Sequence, residues 1–368
     1  MHRVLLITIF ALSLGYSPLF GQWSKVPSFA DNGAGCFWSF ASRLYISGYN
    51  GQMGWTSDGG FSWHDASTGL PSGDGASSIA SIGNILLCGT TYNYIFFSSD
   101  SGASWQQSNW LNLASKYIPA LIAKDSFVFA SNNGVIRSSD SGRNWAYDTS
   151  SLLPLSLQPV FSFAKYDSLL LAGTEAEYIL RTTNDGNSWD TVRLTTNRQI
   201  EDVVRSLAVV GKTVLAGTSG GLYRSSDLGL TWKRLDTSLF YHGPLSLVTV
   251  NGIVIAGMEY TVVSSKDYGL TWQSFDEGWP PGVDPSSLIE FDNYIFAGSE
   301  IYGLFRRPLS DIAVVNPAPV LSQHSNALEI YDVLGRLLYR GTPAEKPQLP
   351  GGFYFECTGS AVRKVWVP

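Results

Sequence analysis

Charge is scarce in this chain. Asp, Glu, Lys and Arg make up 15% of its 368 residues, against about 25% in an average soluble protein, so Ser, Thr, Asn and Gly must supply much of the polar surface. The net charge of -6 argues against nucleic acid or an anionic membrane as the main partner. Cysteine is rarer still. Cys36, Cys88 and Cys357 are too few and too scattered for a disulfide framework or a zinc site. Each lies in an apolar, strand-like segment, where cysteine behaves as a small hydrophobe. The four histidines, His2, His64, His242 and His324, form no H-x-H or H-E-x-x-H pattern. No Gly-rich phosphate loop and no G-x-S-x-G elbow occurs either, so no metal, nucleotide or redox cofactor is expected. Long helices are excluded by 37 Gly and 17 Pro, which interrupt the chain too often. Aromatic residues are plentiful instead: 12 Trp, 18 Tyr and 19 Phe are ample material for buried cores and rule out disorder.

The chain starts with basic His2 and Arg3, an apolar run from Val4 to Leu12, and then helix-breaking Gly15 and Pro18. This is the layout of a secretory signal, expected to span residues 1–22. No later stretch reaches about 18 uninterrupted apolar residues, so no transmembrane segment is expected in the mature chain.

An internal repeat organises the rest. The segments Thr56–Trp63, Ser98–Trp105, Ser138–Trp145, Thr182–Trp189, Ser225–Trp232 and Ser265–Trp272 share the pattern S/T-x-D/N-x-G-x-x-W, with 40 to 44 residues between successive tryptophans. Each sits in a larger unit, such as VVRSLAVVG, TVLAGTS, GLYRSSD and TWKRLD in the fifth copy. Four short β-prone runs separated by turn residues read as a four-stranded antiparallel meander, and such units at this period predict propeller blades. A seventh unit starts at SSLIEFDN but lacks its fourth run. Trp23 and the residues after it resemble the outer strands that start at Trp232 and Trp272, so residues 23–28 are expected to complete the last blade and leave no open edge. The fold expected is therefore all-β: a seven-bladed propeller of four-stranded blades over residues 23–310, about 41 residues per blade.

The six repeated segments resemble the Asp-box, or BNR repeat, of sialidases, xyloglucanases, the sortilin ectodomain and photosystem II assembly factors. Their Asp residues (Asp58, Asp100, Asp140, Asp227 and Asp267, with Asn184 as the departure) are expected to accept backbone N–H bonds across a tight turn. The Gly two positions on permits positive φ. The closing Trp63, Trp105, Trp145, Trp189, Trp232 and Trp272 are expected to fill the gaps between sheets. An Asp that recurs in nearly every blade is scaffold, because an active site is normally singular. The sialidase F/Y-R-I-P motif has its nearest string in Phe305–Pro308, at the wrong end of the chain, and Arg306 aligns with Arg224 and Arg181 as a repeat residue. Xyloglucanases place catalytic aspartates between two rings, and this chain has one.

The period breaks after Ser310. Residues 311–368 contain Asn316-Pro317-Ala318, a strand-turn-strand from Leu328 to Tyr339 around Gly335-Arg336, then Leu349-Pro350-Gly351-Gly352, and a last run from Val362 to Val367. This tail resembles the type A C-terminal sorting domain of the type IX secretion system of Bacteroidetes. The resemblance implies a small β-sandwich-like unit, export by that machinery, and delivery to the outer cell surface.

The expected ligand face is formed by the loops after each second strand and before each first strand, opposite the repeated turns. Aligned on the A-G, S-G or C-G that ends each second strand, with Ser131 in place of Gly in blade three, the blades carry Asn50, Thr91, Asn133, Glu175, Ser219, Glu259 and Glu300 at one position. Tyr49, Tyr92, Tyr94, Tyr178, Tyr260 and Tyr302 lie nearby, and longer loops add Trp110, Arg205, Tyr241, His242 and Trp279. An aromatic rim with acceptors suits sugar rings, whose C–H faces stack and whose hydroxyls donate. The reading is a non-catalytic surface module for an extracellular glycan or a surface protein. The alternative is a glycoside hydrolase with its acid and base among Glu175, Asp202, Glu259 and Glu300, at the separations such chemistry requires.

Overall fold

The computed structural model describes residues 22–27, 33–48, 51–109, 115–147, 159–175, 178–194, 203–235 and 242–311, together with four strands of the tail between 328 and 367. Seven four-stranded antiparallel sheets follow one another as propeller blades, and the described residues are almost entirely strands, turns and loops. In the fifth blade the strands are Val204–Val210, Thr213–Thr218, Gly221–Ser225 and Lys233–Arg234, running from the axis outwards. The second strands are covered on both faces by neighbouring blades, so they read as unbroken apolar runs rather than alternating ones. ILLCGT, LLLAGT, TVLAGT and IVIAGM are buried at every position. Hydrophobic clusters fill the seams between blades, for example Leu171, Ile179, Val214 and Tyr223 between the fourth and fifth.

The ring closes as expected. Ser24–Val26 pairs antiparallel with the third strand of the seventh blade, Gly303–Pro308, with Lys25 opposite Phe305. Trp23 anchors this strand: it is 4% exposed, its Nε1 donates to the Phe275 carbonyl at 2.7 Å, and its ring meets Trp279 edge-on with centroids 5.3 Å apart. The segment expected to be a signal, residues 1–22, lies outside the described residues except for Gln22.

All six repeated segments fold into one turn. In the second blade Ser98 Oγ donates to Asp100 Oδ1 at 2.7 Å and accepts from Gly102 N at 2.8 Å; Asp100 then accepts from Ser104 N at 2.9 Å and from Ser104 Oγ. Asn184 fills the same place through its carbonyl oxygen, which accepts from Thr182 Oγ1 and Ser188 N, while its Nδ2 donates to Ser188 Oγ. The residue between the Asp and the Gly also has positive φ, from 57° to 70° in Gly59, Ser101, Ser141, Asp185, Leu228 and Tyr268. At every one of these except Ser141, the carbonyl accepts from an arginine of the preceding blade. Arg224 Nε bonds Tyr268 O at 3.0 Å, Arg181 Nε bonds Leu228 O at 3.4 Å, and Arg306 bonds Gly59 O. Arg306 is thus a repeat residue that ties the last blade to the first.

These turns make the ring acid-sensitive. The Ser104 hydroxyl, then the Ser104 N–H and the Ser98 hydroxyl, hold Asp100 down at about 2, and Asp58 is lowered in the same way, first by the Ser62 hydroxyl. A depressed carboxylate contributes stability that is full above its unfolded value near 4 and is lost as pH falls through the folded value. The urea midpoint is therefore expected to fall between about pH 4 and pH 2. Asp100→Asn should fold, as Asn184 does, and should reduce that fall.

A second tie lies nearer the axis. Ser162 Oγ, Ser206 Oγ and Ser246 Oγ, on the first strands, donate to the carbonyls of Val204, Pro244 and Pro285, which lie at or just before the first strand of the next blade. Opposite each serine stands a second-strand glycine, as in the pairs Ser206 with Gly217 and Ser246 with Gly257. In the third blade the hydroxyl changes strands: Ser131 Oγ accepts from Val160 N at 2.9 Å. The first blade does likewise, with Ser47 Oγ accepting from Ala76 N at 2.8 Å. Ser47, paired with Cys36, is therefore the equivalent of the glycines. This corrects the alignment of the first blade by one residue: Tyr49, not Asn50, matches Glu259 and Glu300.

In the tail, Leu328–Asp332, Leu337–Gly341, Gly352–Thr358 and Ala361–Val367 form one antiparallel sheet in the order second, first, third, fourth. Asn316–Ala318, Gly335-Arg336 and Leu349–Gly351 lie outside the described residues, and no second layer of a sandwich is found among the described ones.

Candidate functional site

The end of the ring opposite the repeated turns carries the connections between second and third strands and the longer segments between blades. Two cavities of about 430 Å³ each open there, and both are lined by Glu300. Thr91, Tyr92 and Tyr117 share the first cavity with it. Arg205, Asp284, Ile301 and Tyr302 share the second. Arg205 also lines the mouth of the axial channel, whose walls are the first strands, with Phe37, Phe161 and Leu247 among them.

The large apolar side chains left exposed among the described residues fall into two groups, one at each end of the ring. Tyr92, Tyr117, Tyr260, Ile301 and Tyr302 lie at this end, whereas Phe61, Leu230, Tyr268 and Leu270 belong to the repeated turns. A buried and a half-buried acid hold the loops of this end in shape. Asp74, 3% exposed, accepts from Thr91 N at 3.0 Å, Tyr92 N at 3.1 Å and Asn93 Nδ2 at 2.7 Å. Asp284 Oδ1 accepts from Tyr260 N at 2.9 Å, supporting a residue that already sits at φ 62°.

The structure thus brings Tyr92, Arg205, Glu300 and Tyr302 around two adjoining cavities. Glu259 instead pairs with His242, Oε2 to Nδ1 at 2.8 Å, and its charge, with that of Asp284, raises the Tyr260 hydroxyl above its ordinary range. Glu175 is exposed, its backbone N–H is bonded to Pro159 O, and it lines neither cavity. Tyr178 is half-buried on the third strand of the fourth blade, 5.8 Å from the Arg193 guanidinium. Tyr49, Asn50, Trp110, Asp202 and Tyr241 lie outside the described residues. Among the described residues no three His, Cys, Asp or Glu side chains gather into a group that could hold a metal.

Trp279 is a correction. It is 8% exposed, packs against Trp23 and Phe305, and donates Nε1 to Val283 O at 2.8 Å. It is a core residue, and its ring is unavailable to a ligand. The repeat carried the signal, because Gly278-Trp279-Pro280-Pro281-Gly282-Val283-Asp284 parallels Gly69-Leu70-Pro71-Ser72-Gly73-Asp74. Leu70 likewise packs inwards, against the cluster between the first and second blades. The same comparison points to Asp74 and Asp284, which a search for exposed aromatics passes over.

No family model matches the chain, and no curated protein matches it either. Among solved structures the likeness is to propellers. YCF48 from Cyanidioschyzon merolae is 13% identical, with a TM-score of 0.63 over 78% of this chain and 98% of that one. YCF48 bound to a D1 peptide is 19% identical, with a TM-score of 0.61 over 78% of this chain and 96% of the other. The extracellular domain of the two-component system BT4673 from B. thetaiotaomicron is 15% identical, with a TM-score of 0.64 over 94% of this chain and 47% of that one. At these identities the likeness establishes the fold.

Proposed function

We propose that this protein is an extracellular, non-catalytic binding propeller that receives a protein or glycan ligand on the face holding the two cavities. One observation carries the reading: the exposed Tyr92, Tyr117, Ile301 and Tyr302 line two cavities that both include Glu300, at one end of the ring. Clustered exposed aromatics with polar groups between them are the usual marks of a recognition surface. A peptide-bound YCF48 structure supports a protein ligand on such a ring, and BT4673 is an extracellular domain of the same architecture. The repeated turns are Asp-box turns on this reading.

Residues 1–22 are the export signal, and residues 311–368 are a type IX sorting domain that delivers the ring to the cell surface. Deleting residues 311–368 is expected to trap the protein in the periplasm; normal surface delivery of the truncated chain overturns the sorting role.

For the ligand face, the full chain is screened against surface glycans and envelope proteins, with Tyr92→Ala and Tyr302→Ala beside it. Loss of a large aromatic contact at the centre of a site costs about tenfold or more in affinity. Unchanged binding in both variants overturns the assignment of the face, and release of sugar from a bound glycan favours the hydrolase alternative.

A further inference from the structure

Glu300 lines both cavities, yet its carboxylate makes no hydrogen bond and no ion pair with any described residue. The side chain is exposed to solvent, as is that of Glu175 at the same end. Asp74 and Asp284 are both committed to backbone N–H groups, and Glu259 is committed to His242. Arg205 lines the second cavity with Glu300 but forms no ion pair with it. Glu300 lines the first cavity with Tyr92 and Tyr117, and no basic side chain among the described residues lines that space. The Tyr117 hydroxyl is raised above its ordinary value, first by burial and then by the Glu300 charge, so the carboxylate and this ring share one environment.

An unpaired carboxylate beside two aromatic rings is the arrangement that attracts an organic cation. The ring quadrupoles and the anion act on the same positive group. Resting on the ligand face proposed above, we propose that the first cavity is a cation pocket for the side chain of a lysine or arginine carried by a protein ligand. Glu300 acts as counter-ion and Tyr92 and Tyr117 as walls. A protein is favoured over an amino sugar by what lies next to the pocket. Ile301 is 76% exposed and offers an aliphatic contact rather than a flat platform for a sugar. In the second cavity, Arg205 and Asp284 offer a donor and an acceptor suited to backbone amides.

The test uses the full chain and a library of acetylated, amidated heptapeptides. The central position is fixed as arginine, lysine, citrulline, norleucine or glutamate, and the flanking positions are randomised. Arginine and lysine peptides are expected to be retained about tenfold over citrulline and norleucine at low salt, with the preference shrinking as salt rises. Glu300→Gln should remove the preference, and Asp167→Asn, at the opposite end of the ring, should keep it. An equal preference in Glu300→Gln overturns the proposal. So does retention of a chitosan oligomer in place of the peptides. Peptide binding without charge preference, weakened by Tyr302→Ala, overturns the cation pocket while leaving the ligand face standing. No retention of any peptide, together with binding of other ligands unaffected by Tyr92→Ala and Tyr302→Ala, overturns both.

Discussion

Trp23→Ala is expected to lower the unfolding free energy by about 3–5 kcal/mol, the largest single loss foreseen for this chain. The ring depends on a three-residue strand, Ser24–Val26, to complete its last sheet, and Trp23 is the side chain that holds that strand in place. It fills a space bounded by Phe275, Trp279 and Phe305, within a cluster that also includes Val262 and Ile295. Its indole N–H satisfies a buried carbonyl. Domains of ordinary stability have about 5–15 kcal/mol to lose, so the variant should unfold at much lower urea and expose the edge of Gly303–Pro308 to pairing with other chains. Phe61→Ala is the matched control. That ring is 71% exposed and stands under the Arg306 guanidinium at 4.1 Å, a contact worth at most about 1 kcal/mol. Equal midpoints for the two variants would show that Trp23 does not hold the closure.

Gly257→Ala is expected to cost about 1–3 kcal/mol, the range for forcing an extra carbon into a packed interior. A Cβ at this position would land on the Pro285 carbonyl oxygen and at 2.5 Å from Ser246 Oγ. One obstacle is a side chain and the other is backbone. Ser246→Ala removes the hydroxyl but leaves the carbonyl, so the double variant should recover only part of the loss. Gly282→Ala tests the opposite limit: that glycine has φ +74° with nothing within 4 Å of the added carbon, so its cost is only that of a left-handed backbone, about 1–2 kcal/mol. Thermal or urea unfolding of the four proteins separates steric from conformational cost. Full recovery in the double variant would mean that the carbonyl moves aside.

The two variants also show why the fold was legible and the site less so. A repeated turn needs a hydroxyl, an acid, a glycine and a tryptophan at fixed spacing because each makes a local bond or fills a local gap, as Ser98, Asp100, Gly102 and Trp105 do. Those constraints lie within eight residues and recur, so the strand count and even the closing strand can be read from the chain. The ligand face has no such local rule. Trp279 looks like a binding aromatic by position, yet its ring is turned into the core by contacts with Trp23, more than 250 residues away. The first-blade alignment slipped because Ser47 takes the glycine's place, as Ser131 does in the third blade, while Gly48 follows it and imitates the usual S-G ending; the pairing of Ser47 with Cys36 separates the two. Tyr92, Arg205, Glu300 and Tyr302 were identifiable as loop residues of one end. Which of them meet around a cavity depends on the curvature of seven blades, which no short segment encodes.

The closing strand has a consequence for orientation. Because the amino-terminal segment supplies the outer strand of the seventh blade, the carboxyl-terminal segment leaves from that blade's third strand, after Pro308. Gly303 starts that strand beside Glu300 and Tyr302, so Pro308 and the short helix Leu309–Asp311 lie at the far end, six residues or about 20 Å away. The chain therefore leaves the ring at the end opposite the mouth that holds Glu300, so a tether attached there would not cover that mouth.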